Sequence, residues 1–447
     1  MAEDPVTKDL GDQPGGKFWF IDTMPGVTKG NMWSFLVMSF STIGLLTFIS
    51  ATTTYVLTVN LGVPVAEQGS ITGDLVVITE IAQILIFGVV GVLSDRVGRR
   101  QILAFGMLGM GTAYMMYPFA ESIGELTVYR FIYALGLGSA TGMIGTIAAD
   151  YPQENCRARL LAFGGVLNGL GVIVVTLFLG SLPEVLVNAG VEQIAAGRIT
   201  NSIAFIACAL SAIVAMFGLQ KGTPGAQEER PPMMELMKSG ITEAQKNPRI
   251  ALSYAAAFVA RADLVIIGTF TVLWGNVAGI QAGLEPAEAL SVGIRLFVTA
   301  STAALIWLPI LGYLVDGLNR VTSLAICMTL MALGFSAMAF VGDPLELSVL
   351  PLFVLLGIGQ ISAFLGAQTL VGTEAPKLKR GAVVGIFNKS GAIGILVLSS
   401  IGGRLFDSIA PAAPFVLVGI CGGVVAVLAV IVRMKSPGYI PKRKSKA

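Results

Sequence analysis

Gly91-Val-Leu-Ser-Asp-Arg-Val-Gly-Arg-Arg100 is a short charged stretch between two long apolar runs, 72–94 and 102–119. A degenerate copy, Gly312-Tyr-Leu-Val-Asp316 continuing to Arg320, stands 221 positions later (91 to 312), again between apolar runs. In the first copy Gly91 and Gly98 allow helix ends and a tight loop to pack closely. Asp95 suits the partial positive charge of a neighbouring helix N-terminus. Arg96, Arg99 and Arg100 have the length to reach an acidic helix end, and Asp150, closing the fourth apolar run, is the obvious one, with Arg157 seven residues on. The second half echoes the set with Gly312, Asp316, Arg320, Glu374 and Arg380.

Outward from this loop the chain is apolar almost everywhere. Of 447 residues 54% are hydrophobic and 13% charged, with mean hydropathy +0.79. A soluble domain carries about 25% charged residues, so this chain lacks the polar surface to face water on all sides. A membrane-spanning helix needs about 20 mostly apolar residues. Twelve such runs are predicted, at 33–57, 72–94, 102–119, 126–149, 160–180 and 199–219, then 250–274, 289–315, 322–341, 347–370, 382–403 and 412–434. Residues 1–30 read as a polar cytoplasmic tail without the apolar core of a leader peptide. Residues 220–249 form a cytoplasmic linker with a short surface helix between two bundles, 31–219 and 250–434, and 435–447 is a basic tail suited to anionic lipid heads. With both termini in the cytoplasm, 23 of the 29 Lys and Arg residues fall in cytoplasmic segments, two (Arg198 and Arg404) in outward loops, and four inside the spans. This is the asymmetry that sets orientation.

Two more repeats keep the spacing to within one residue. Leu135-Gly-Leu-Gly138 returns as Leu356-Gly-Ile-Gly359, and Gly165-Val-Leu-Asn168 as Gly385-Ile-Phe-Asn388. Three repeats in step with the helix count indicate a duplication, and two parallel six-helix repeats are a transporter architecture. The 91–100 loop with Leu103 resembles the signature between helices two and three of the major facilitator superfamily, and Arg130 ahead of Gly136 and Gly138 is similar to that family's second motif. The resemblance implies an all-α membrane protein of twelve transmembrane helices in two pseudo-symmetric six-helix bundles. It also implies that the loop arginines and acids act as a cytoplasmic gate.

Ionisable groups at membrane depth are costly and mark functional sites. Glu80, Arg130, Arg261, Asp263, Arg295 and Lys389 lie inside predicted spans, with Asn388 beside the last, and all seven are expected around a central solute path. Four positive charges against two favour an anionic solute. Desolvation favours the neutral form of a carboxyl, so Glu80 and Asp263 are the candidate proton carriers. The expectation is a proton-coupled secondary transporter of a small organic anion, acting as a monomer in a bacterial inner membrane. Drug or lipid efflux is the alternative; the run Gly164-Gly-Val-Leu-Asn-Gly-Leu-Gly171 lacks the proline of the family's antiporter motif. A non-transporting sensor or assembly factor is the reading from another class. The chain has no histidine, which removes imidazole catalysis and His-type zinc sites. Cys156, Cys208, Cys327 and Cys421 form no CxxC pair. Walker A, HExxH and GxSxG sequences are absent, so no enzyme activity, cofactor, metal or nucleic-acid partner is expected.

Overall fold

The computed structural model describes residues 16–222 and 233–438. The side chains of Asp95 and Asp263 and the basic run Lys442–Lys446 lie outside what it describes.

All twelve predicted spans are present as helices long and apolar enough to cross a membrane. In the first half they are α1 (Lys29–Tyr55), α2 (Gln68–Val97), α3 (Arg99–Met116), α4 (Ile123–Asp150), α5 (Arg157–Asn188) and α6 (Gln193–Gly218). The linker carries α7 (Met233–Lys246). The seventh span is α8 (Pro248–Ile266) and α9 (Val272–Gln281), joined by a π turn at Ile267–Thr271. The rest are α10 (Pro286–Asp316), α11 (Arg320–Ser336), α12 (Leu350–Glu374), α13 (Arg380–Ser408) and α14 (Ala413–Lys435). α1 also ends in a π turn, Val56–Asn60, so the first span of each half carries the same rare interruption. π turns inside α-helices recur at functional positions.

Three helices start on side-chain caps. Thr28 and Asn31 form a capping box at the start of α1, with Thr28 Oγ1 accepting from Asn31 N and Asn31 Oδ1 accepting from Thr28 N. Ser122 caps α4 and Asn319 caps α11 in the same sense. Each such cap is worth roughly 1 kcal/mol.

By packing, the described residues form two compact units. One takes the chain up to Leu61 and from Ile81 to the linker; the other takes Gly62–Glu80 and everything after the linker. The first stretch of α2 thus packs with the second unit, on α13. Asp407 holds it there: its carboxylate accepts from Gly69 N at 2.8 Å and Ser70 N at 2.7 Å, an anion at the positive end of a helix. Arg404 adds a bond to Asp74 at 3.0 Å. Inside each unit close helix crossings depend on glycine. A Cβ on Gly171 of α5 would strike the Phe40 carbonyl of α1, and a Cβ on Gly394 of α13 would strike the Phe258 carbonyl of α8. Without a hydrophobic drive between helices in lipid, such small-residue contacts carry the packing.

The described part of the N-terminal tail is folded. β1 (Lys17–Phe18) and β2 (Ile21–Asp22) make a two-residue hairpin, and Thr23 bridges to Pro152 in the loop after α4.

Candidate functional site

The embedded charges sort into separate neighbourhoods. In the second unit, Arg261 of α8 and Glu80 of α2 lie close enough for their opposite charges to interact. Arg261 also donates to Asn388 Oδ1 of α13 at 2.9 Å. The stem of Arg261 crosses α13 at Gly391, where any Cβ would collide with its methylenes. At this guanidinium α13 supplies an amide and the space for the side chain, and α2 brings the Glu80 carboxylate within electrostatic range. Gly391 was not singled out in the sequence, although its spacing of three from Asn388 puts both on one face of a helix.

Lys389 turns elsewhere. Its Nζ stands 3.0 Å from Met237 Sδ of the linker helix α7, because neighbours on a helix project about 100° apart. Arg295 is an exposed side chain on α10. Asn388, Arg261 and Glu80 are thus brought together, whereas Lys389 and Arg295 are not in that cluster.

In the first unit Arg130 is 5% exposed. Its guanidinium donates to Thr53 Oγ1 at 3.3 Å and lies 5.4 Å from the centroid of the Tyr133 ring, an attraction strengthened by desolvation. Tyr133 and Tyr114, both fully buried, donate to the Leu46 and Leu45 carbonyls of α1. They hold the aromatic wall against which Arg130 rests.

Four of the arginines expected at a cytoplasmic gate, Arg99, Arg157, Arg320 and Arg380, share one physical feature. α3, α5, α11 and α13 each begin with an arginine, and Arg249 is the second residue of α8. A cation there opposes the helix dipole, so it seeks negative charge at another helix's C-terminus. Arg99 pairs with Asp150, the last residue of α4. Arg100 donates to the Met216 carbonyl near the end of α6 at 3.0 Å. Arg157 donates to the Ala149 carbonyl at 3.1 Å and pairs with Glu154, rather than with Asp150. In the second half Arg380 donates to the Gly372 carbonyl at 2.9 Å. Arg320 stays beside Asp316, at 4.0 Å, and the Val315 carbonyl. Glu374 is held by Arg249 at 2.8 Å and by Asn247 Nδ2 at 3.1 Å. Arg249 escaped the sequence reading; its signal was a cation in the first turn of a helix, the wrong end for the dipole. Arg96 is exposed at the end of α2.

Glycine is needed at 98, where φ is +107°. At Gly91 and Gly312 an added Cβ meets open space, so close packing explains the glycine at neither of those two positions.

A family model described as Major Facilitator Superfamily matches residues 34–388 and 281–447. The chain is 28% identical over 368 residues to magnetosome protein MamH of Paramagnetospirillum magneticum, covering 80% of this chain and 82% of that protein. It is 27% identical over 384 residues to magnetosome protein MamZ of the same organism, covering 80% of this chain and 56% of MamZ. Among solved structures, the nucleoside transporter NupG superposes with a TM-score of 0.68 at 14% identity, over 91% of this chain and 99% of that one. That likeness concerns the fold alone.

Proposed function

The chain belongs to the major facilitator superfamily of membrane transporters, and from that premise we propose that it moves a small organic anion together with a proton, using Arg261 and Glu80. The observation that carries this reading is the shared guanidinium: Arg261 interacts with the Glu80 carboxylate while bonding Asn388. A solute carboxylate or phosphate is a direct competitor for the same guanidinium, since arginine presents a planar fork matched to either. When the solute takes Arg261, Glu80 loses its counter-charge at membrane depth and accepts a proton. For a singly charged solute, solute charge and proton charge then cancel, and the loaded protein carries no extra charge across the bilayer. When the solute leaves, Glu80 returns its proton and re-pairs with Arg261. Asn388 keeps the guanidinium oriented in both states, and Gly391 leaves room for it to move. The helix-end arginines break and remake their bonds as the cytoplasmic side opens and closes.

The chain is a multi-pass membrane protein, and we place it in a bacterial inner membrane. A second reading has one specific support: the relatives MamH and MamZ are named for the magnetosome and not for a solute. On that reading the chain serves a magnetosome as a non-transporting assembly factor.

The test is thermal unfolding of purified protein across a panel of small carboxylates and phosphorylated compounds, because a ligand of the native state raises its stability. At 100 times its dissociation constant a solute adds about 2.7 kcal/mol. The expected outcome is a raised melting temperature with at least one anion, abolished by Arg261→Gln. If no anion stabilises the protein, the anion reading is wrong and the second reading gains; if the gain survives Arg261→Gln, the solute does not use Arg261.

A further inference from the structure

The N-terminal hairpin carries a feature that solute transport does not use. Its two-residue turn is Trp19-Phe20, and Trp19 has φ +54°, the only positive φ outside glycine among the described residues. Two-residue hairpin turns take φ > 0 readily only with Gly, Asn or Asp, and a bulky residue held there is a strain kept for a purpose. Both rings stand outward, Trp19 54% and Phe20 50% exposed, and Trp33 of α1 joins them at 52%. The rings form one cluster: Trp19 packs edge-on against Trp33 at 5.5 Å and Phe163 of α5 at 5.6 Å, and Phe20 meets Phe163 at 6.3 Å.

Cations sit one turn outside the rings. Lys29 precedes Trp33 by four residues on α1, and Arg159 precedes Phe163 by four on α5, so each pair shares a helix face. Both cations are exposed, and Arg159 also donates to the Phe20 carbonyl at 3.0 Å. Lys17 stands opposite Asp22 in the hairpin register, so these two residues together add no net charge. The order from the chain end inward is cation, aromatic ring, apolar helix, which matches the order of headgroup, interface and acyl chain in a bilayer.

We infer that the hairpin turn with the ends of α1 and α5 is a docking surface for anionic phospholipid headgroups. Lys29 and Arg159 take the phosphate layer, and Trp19, Phe20 and Trp33 seat at the interface below it. The strained turn lays the Trp19 ring across both helices. The hairpin is in turn laced to the loop after α4, through Met24 N to the Tyr151 carbonyl at 2.8 Å and Gln153 N to the Asp22 carbonyl at 2.9 Å. The bound lipid thereby braces the segment next to the Asp150–Arg99 pair.

The test uses full-length protein with Trp274→Phe and Trp307→Phe, which leaves Trp19 and Trp33 as its tryptophans. It is reconstituted in phosphatidylcholine vesicles containing brominated phosphatidylglycerol or, at equal mole fraction, brominated phosphatidylcholine. The expected result is stronger tryptophan quenching by the phosphatidylglycerol, an excess that corresponds to about fivefold local enrichment per cation and falls with Lys29→Gln. Lys29→Gln touches no hairpin hydrogen bond, so its loss of preference reports charge alone. Equal quenching by the two lipids, or a preference unchanged in Lys29→Gln, overturns the proposal. Should the double tryptophan variant fail to fold, native mass spectrometry of the otherwise unaltered protein counts retained phosphatidylglycerol, with fewer copies expected in Lys29→Gln and equal numbers contradicting the inference.

Discussion

The acid that closes α4 and the acid that closes α12 occupy matching places in the two halves, yet their cations come from different directions. Asp150 is held by Arg99 from the loop after α2. Glu374 is held by Arg249, which arrives from the linker side at the start of α8, with Asn247 as a second donor. The arginine that occupies the matching loop, Arg320, is kept by its own neighbour Asp316, whose side chain is 81% exposed. The clamps that use backbone carbonyls did not diverge: Arg157 reaches Ala149 and Arg380 reaches Gly372, each eight residues back. A helix C-terminus presents its carbonyls whatever the side chains are, so such a clamp needs one arginine. An acid-to-arginine pair needs two residues, and either partner can be supplied from elsewhere once another cation is in reach.

Substitution series grade this contrast. Asp150→Ala has the largest expected cost, about 3 kcal/mol, because it strands a mostly buried Arg99; chemical unfolding of the purified protein measures it. Glu374→Ala costs less, about 2 kcal/mol, since Arg249 keeps a bond to Ser436 Oγ at 3.2 Å and is more exposed than Arg99. Arg157→Gln and Arg380→Gln are expected to match each other within about 0.5 kcal/mol, at roughly 1.5 kcal/mol each; a large inequality in the same assay would show that the carbonyl clamps are not equivalent. Asp316→Ala is expected to change stability by under about 0.5 kcal/mol, as an exposed and distant pair.

The smallest effect is pH-dependent. The Lys379 ammonium bonded to Glu243 at 2.7 Å holds that carboxyl below its usual value of 4.5, against a weaker opposing effect of desolvation. A carboxyl depressed in the folded state stabilises above its unfolded value, and the benefit is lost as pH falls through the folded one. Lys379→Gln should therefore lower the melting temperature slightly at pH 7, and the difference from the parent protein should shrink as pH falls below 4.5 and vanish once Glu243 is protonated in the folded state. A difference that persists in acid would place the effect of Lys379 outside this pair.

The spans were legible because lipid leaves no choice: each crossing needs a long apolar helix, and Gly, Pro and charge punctuate the ends. The Arg99–Asp150 pair was legible for a related reason, since both residues cap helix ends that meet at one side of the membrane. Other contacts hide in rotation and in distance along the chain. Asn388 and Lys389 are adjacent in sequence, and only the helical turn decides that the first meets Arg261 and the second meets Met237. Arg249 looked like the end of a linker because its partner is 125 residues away. The N-terminal hairpin was hidden by its brevity, for two-residue strands have no period to detect, and it is hydrogen-bonded to the loop after α4.

The most direct test of the exchange between Glu80 and solute at Arg261 is transport by Glu80→Gln in proteoliposomes, with the anion that best stabilises the protein as the labelled solute. The account predicts that Glu80→Gln exchanges labelled for unlabelled solute at equal pH yet fails to accumulate it when a proton gradient is imposed, while Arg261→Gln does neither. Gradient-driven accumulation by Glu80→Gln at the parent rate would contradict it.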